Sequence, residues 1–177
     1  MNLYACFLPS DSSLLEDSFI NRLAACFASS RTPMIHVELL FAENDGDFGE
    51  SSSIHYQGKV FLKQKRFSRT NWHFRRIPAT DKQIRKVYEF CKRCKGNSFN
   101  RLGFFLQPFR FAPDSQFMFD KGLSDTPQWY CSSLCCSALA SANIFQDMPT
   151  AMHPHAMYEF LKPLSAPDVP RRVCMEL

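Results

Sequence analysis

Three of the eight cysteines in this 177-residue chain fall within "WYCSSLCCSAL": Cys131, Cys135 and Cys136. Cysteine is by default a small buried hydrophobe, and it becomes a nucleophile only where its thiolate is stabilised and a base takes its proton. On a helical wheel Cys131, Leu134, Cys135, Ala138, Leu139 and Ala142 share one face, so Cys135 reads as plain core. Cys136 lies at the back with Ser133, Ala140 and Asn143, and has no obvious partner there. Cys131 differs because it falls in or just before the first turn, where unpaired backbone N–H groups and the helix dipole favour a thiolate. A partner base is available in "MIHVELLF", where strand alternation turns His36, Glu38 and Leu40 to one side. An imidazole and a carboxylate facing the same way from an apolar strand are costly unless they pair or work. His55 and His73 sit on polar segments and read as surface histidines, while His153 and His155 flank Pro154 as turn or cap residues.

These side chains need elements to carry them. "LYACFL" (3–8) reads as a first strand closed by Pro9, and "DSSLLEDSFINRLAACFASS" as a helix with its apolar residues roughly at helical spacing. "PMIHVELLFA" (33–42) reads as a buried strand and "ENDGDFGESSS" as a turn-rich loop. "SIHYQGKVFLKQKRF" is expected as two strands around a turn at Gln57-Gly58, and "NWHFRRIPA" as another strand. "TDKQIRKVYEFCKRCKG" is a well-marked helix: Thr80 and Gln83 form a capping box, Ile84, Val87, Tyr88, Cys91 and Cys94 share a face, and Gly96 ends it. Residues 97–128 are aromatic and irregular, and helices follow at "WYCSSLCCSALASANIF" and "HPHAMYEFL". The sum is a single α+β domain over 1–177, with a small antiparallel sheet packed against helices and the histidine strand preceding the cysteine helix.

"HVELLF" early, a basic hairpin, "FCKRCKGNSFN", then "WYCSSLCCSAL" and "HPHAMYEFL" resemble, over roughly residues 3–162, the circularly permuted papain-like (NlpC-type) cysteine hydrolases. Within them the chain is similar to the YiiX-like amidase group and, more distantly, to the lecithin:retinol acyltransferase group. The resemblance implies a permuted papain-like fold, Cys131 as nucleophile and His36 as general base. Glu38 is the first choice for the group that orients the histidine, with His55 the other candidate, since acyltransferase-like relatives place a second histidine on the following strand. Ser133 stands where the family often has glutamate. The chemistry implied is cleavage of an amide, ester or thioester through an acyl-cysteine, with no metal or organic cofactor. A lipid- or peptide-binding domain without turnover on the same fold is the alternative. Substrate contacts are expected from Trp129, Tyr130 and Ser132 beside the nucleophile, and from Phe104 and Phe105 in the apolar stretch 103–119, which offers either a groove wall or ordinary core cover.

The totals set outer limits. Hydrophobic content of 45% and charge of 21% exclude a generally disordered chain. Residues 61–101 carry thirteen basic and two acidic side chains, against three and eight in residues 1–60, so a +4 chain has a strongly basic middle. The run "KQKRFSRTNWHFRR" (63–76) fits an anionic membrane surface better than specific nucleic-acid binding, since no recognised module accompanies it. "CKRC" at 91–94 lies on a helix face, not on a knuckle turn, which argues against zinc. The N-terminus lacks the basic start of a signal peptide, and no window nears the ~18 apolar residues of a membrane span. Free thiols in an intracellular, cytoplasmic setting are therefore expected.

Overall fold

The computed structural model describes residues 1–14, 25–26, 30–44, 46–106, 126–145, 148–149 and 152–163. Five strands, β1 (Asn2–Pro9), β2 (Met34–Ala42), β3 (Phe48–Ser53), β4 (Phe61–Arg66) and β5 (His73–Arg76), form one antiparallel sheet in the order β4-β3-β2-β1-β5. Among the described residues four helices follow these strands: α1 (Asp81–Cys94), α2 (Arg101–Leu106), α3 (Cys131–Ser141) and α4 (Pro154–Leu161). The architecture is mixed α+β, with every strand pairing antiparallel.

The period-2 geometry of β2 divides the molecule. Val37, Leu39 and Phe41 join Leu3, Ala5 and Phe7 of β1 in a core shared with α1, α3 and α4. Leu40 and Ala42 join Tyr4, Cys6 and Leu8 on the opposite side, where Phe67 and Trp72 close a second core. His36 and Glu38 alternate with Val37, and their β1 partners are Leu8 and Cys6 of this second core. A third cluster, with Ile35, Ile54, Phe99, Phe104, Trp129, Tyr130 and Leu134, ties the start of β2 to the start of α3.

Helix α1 begins as its sequence requires. Thr80 Oγ1 accepts from Gln83 N–H at 3.3 Å, Gln83 Oε1 accepts from Thr80 N–H at 3.0 Å, and Gly96 follows at φ 91°. Its buried stripe is Ile84, Val87, Cys91 and Cys94. α4 carries Pro154 at its first turn, and His153 caps it by accepting from the His155 N–H.

Three expectations change. "FGESSS" is not loop but the inner strand β3, and 54–60 forms the connection to β4 with Gln57 at φ 59°. Such a polar run lacks strand propensity; pairing on both edges holds it, and Gly49 is needed because a Cβ there would run into the Phe41 carbonyl. His55 consequently lies beyond the end of β3 rather than on a strand. Residues 101–106 form a short helix within the stretch read as irregular, and Asn100 Oδ1 accepts from the Gly103 N–H at its start. Most of the helix expected over 11–30, and residues 107–119 of the apolar stretch, lie outside the described residues.

Candidate active site

Several contacts fix where Cys131 stands. Trp129 N–H donates to Ser98 O at 3.0 Å and Asn100 N–H to Trp129 O at 2.8 Å, a short parallel bridge that delivers the chain into α3. Ser133 then caps the helix: its hydroxyl accepts from Tyr130 N–H and donates to Tyr130 O, both at 3.0 Å. Ser133 thus closes the helix start itself. Ser132 Oγ donates to Met152 O at 2.6 Å and ties the same turn to the segment before α4. Met34 N–H donates to His155 Nδ1 at 3.4 Å, so α4 also holds the first residue of β2.

Cys131 and His36 are brought together, and Glu38 lies beside the imidazole. His36 Nε2 lies 3.3 Å from Glu38 Oε1. Burial alone would push His36 down, but Cys131, by charge and hydrogen bond, and Glu38, by hydrogen bond and charge, hold it up at about 9. Glu38 is completely buried and faces a desolvation cost that its partners overcome. Hydrogen bonding and charge from His36 and Lys65 bring it down to about 2. Lys65 Nζ sits 2.6 Å from Oε1, and Ser51 Oγ donates to Oε2 at 2.7 Å. His55 stacks on His36, with ring centroids 5.2 Å apart at 23°, and on Phe61 at 5.0 Å. Burial and the positive charge of His36 push His55 down to about 4, which leaves it neutral at pH 7. Trp72 meets the His36 ring edge-on at 6.1 Å.

Of the three helix cysteines, Cys131 alone faces a base. Burial pushes Cys135 and Cys136 up, and Cys91 up to about 12, so these thiols stay protonated. Cys136 is not on an open helix back: α4 covers it, with its sulfur 3.9 Å from Met157 Sδ. The seven described cysteines are all free thiols.

The expected substrate contacts have mixed surroundings. Trp129, Tyr130 and Phe104 are buried in the third cluster, Ser132 is engaged with Met152, and Phe105 is exposed. Lys65, Ser51 and Trp72 were not legible as site residues. Lys65 was hidden in a basic run, and Ser51 in a segment read as loop; alternation of Phe61, Lys63 and Lys65 on β4 was the usable signal. Among the described residues no group of three or more His, Cys, Asp or Glu side chains gathers as a metal site, and no helix is long and apolar enough to cross a membrane. No family model, curated protein or solved structure matches the chain.

Proposed function

We propose that the chain is a cysteine hydrolase or acyltransferase of the permuted papain-like kind, acting on an amide, ester or thioester through an acyl-Cys131 intermediate. The observation that carries this is the grouping of Cys131, His36 and Glu38, a thiol at a helix start in contact with an imidazole whose Nε2 lies 3.3 Å from a buried carboxylate. The order of histidine strand before cysteine helix also agrees with that family.

In the reaction His36 takes the thiol proton and Cys131 Sγ attacks the acyl carbon. The first-turn N–H groups of α3 receive the oxyanion, since such groups have no intrahelical acceptor. The imidazolium returns its proton to the departing amine, alcohol or thiol as the acyl–heteroatom bond breaks. Water, or an acceptor hydroxyl, amine or thiol, then attacks the thioester with His36 again as base, and the Cys131 thiol is restored. Glu38 holds the ring in the orientation this exchange needs.

Alkylation by iodoacetamide at neutral pH, read cysteine by cysteine by mass spectrometry, tests the reading. Cys131 should react far faster than every other thiol, and His36→Ala should remove at least about tenfold of that advantage, within the range of a positioned base. Incubation with peptide and acyl-lipid pools should leave a mass adduct on Cys131 that identifies the substrate class. Equal alkylation rates across the cysteines would overturn the hydrolase and leave a binding domain.

A further inference from the structure

Glu38 is surrounded in an unusual way for a residue that orients a histidine. Oε1 is shared: the Lys65 ammonium lies 2.6 Å away and the His36 ring 3.3 Å away, so the permanent cation holds the closer place. Oε2 is taken by the Ser51 hydroxyl at 2.7 Å. Lys65 is itself fixed, with Nζ 4.6 Å from the ring centroids of both Phe67 and Trp72. Trp72 also abuts His36 edge-on, so one indole packs against both the cation and the imidazole.

A buried carboxylate facing an imidazolium alone would clamp its proton, because little solvent screens the pair. That clamp would hinder the step in which His36 must give its proton away. An ammonium on the same oxygen neutralises Glu38 in every protonation state of His36. The carboxylate can then direct the ring without holding the proton too tightly.

We propose that Lys65 is a positioning residue of the site: held between Phe67 and Trp72, it occupies Glu38 and thereby keeps the proton affinity of His36 below what the carboxylate alone would give it. This inference rests on the Cys131–His36 reading for its purpose, while its electrostatic content stands on the Lys65–Glu38–His36 geometry. The charged and titratable groups facing His36 are Cys131 from α3, Glu38 from its own strand and His55 after β3, and Lys65 from β4 meets Glu38 on the oxygen shared with His36. Cys6 of β1 lies against Glu38 as a neutral thiol, pushed up by burial and by that carboxylate.

The experiment is an NMR titration of the His36 ring in histidine-labelled protein carrying Cys131→Ser, which removes the thiol's own titration from the readout. Lys65→Gln keeps a hydrogen-bond donor for Glu38 but not the charge. It should raise the His36 midpoint by about one unit, a tenfold gain in proton affinity, as expected when an opposite charge loses its neutralising neighbour. Lys65→Arg should return the midpoint to within a few tenths of a unit of the parent. Phe67→Leu loosens the clamp while leaving every charge in place. It should shift His36 in the same direction by less, and it decides the matter if Lys65→Gln does not fold. A His36 midpoint unmoved or lowered in the folded variants would overturn the proposal. Cys131 alkylation in otherwise native protein is measured alongside: loss of its selectivity with the titration shifts intact would sink the hydrolase reading and leave the role of Lys65 standing.

Discussion

At the scale of single residues, the site stores its protons in opposite senses, and stability should record this. Glu38 in the fold lies at about 2, below its ordinary 4.5, so the fold favours its ionised form. That contribution is complete above 4.5 and is lost as pH falls toward 2. His36 lies at about 9, above its ordinary 6.5, so its contribution is complete below 6.5 and is lost as pH rises through 9. His55 is depressed to about 4, so the fold favours its neutral form, and its share is complete above 6.5 and lost as pH falls toward 4. His55 is covered by the His36 and Phe61 rings yet keeps much of its surface in solvent, and screening there makes its part the smallest. Thermal midpoints measured from pH 2 to pH 10 should therefore peak near pH 6.5, with a steep alkaline limb and a two-stage acid limb. His36→Gln should flatten the alkaline limb, and Glu38→Gln the lower acid stage. An alkaline limb that survives His36→Gln would assign it to another group.

At the scale of elements, the two reciprocal halves of a helix cap, one on α1 and one on α3, separate stability from function. Thr80 caps α1, and Ser133 caps α3 directly beneath the Cys131 turn. Thr80→Ala should cost about 1 kcal/mol in urea denaturation and leave the alkylation rate of Cys131 unchanged. Ser133→Ala should cost a similar or larger amount, since it strands the buried Tyr130 N–H, and it should also slow alkylation as the first turn of α3 frays. Equal, unchanged alkylation in both would detach the helix start from the reactivity of Cys131. The same elements explain what the sequence made legible. β1, β2, β5, α1, α3 and α4 carry their own signals: apolar alternation, a capping box, Pro154 at a first turn and a wheel face. β3 carries none, because Phe48–Ser53 is a strand only by virtue of its neighbours β2 and β4. Reading it as loop displaced Ser51 from the site and put His55 on a strand it does not occupy. Cys131, His36 and Glu38 were legible because helix start and strand alternation are local, whereas Lys65 reaches Glu38 across β3 from a different strand. Cys136 was read from its own helix, and the cover supplied by Met157 comes from a residue 21 positions away.

At the scale of the whole molecule, the basic middle of the chain is two surfaces and not one. Within 63–76, Lys65 is bound to Glu38, Arg66 to Asp47 at 3.1 Å and Arg76 to Asn2 at 2.9 Å, while Arg75 is buried with its guanidinium 4.1 Å from the Tyr158 ring. Lys63 and Arg69 lie over Phe61 and Phe74. Most of that run is thus engaged by the fold. The cations of α1 are held less: Lys82, Arg85, Lys86 and Arg93 are exposed around a shallow cleft of about 460 Å³, with Glu89 as the one acid on its lining and Ser141 of α3 on its wall. Their contacts are local ones, Arg85 Nε donating to Asp81 O at 3.4 Å and Arg93 lying 6.0 Å from the Phe90 ring. Like charges at Lys82 and Lys86, one turn apart, are slightly unfavourable for the isolated helix. Any attraction to an anionic lipid surface should therefore act through α1. Each cation near such a surface contributes about 1 kcal/mol, so the neutralising triple variant Lys82→Gln/Arg85→Gln/Lys86→Gln should weaken co-sedimentation with phosphatidylserine vesicles by about a hundredfold. Lys63→Glu/Arg69→Glu should change it far less, and added salt should abolish it, since exposed charges are screened within about 8 Å at physiological ionic strength. Binding that survives the α1 triple variant and falls with the Lys63 and Arg69 substitutions would return the anionic contact to the 63–76 run, on the side of the sheet that carries His36.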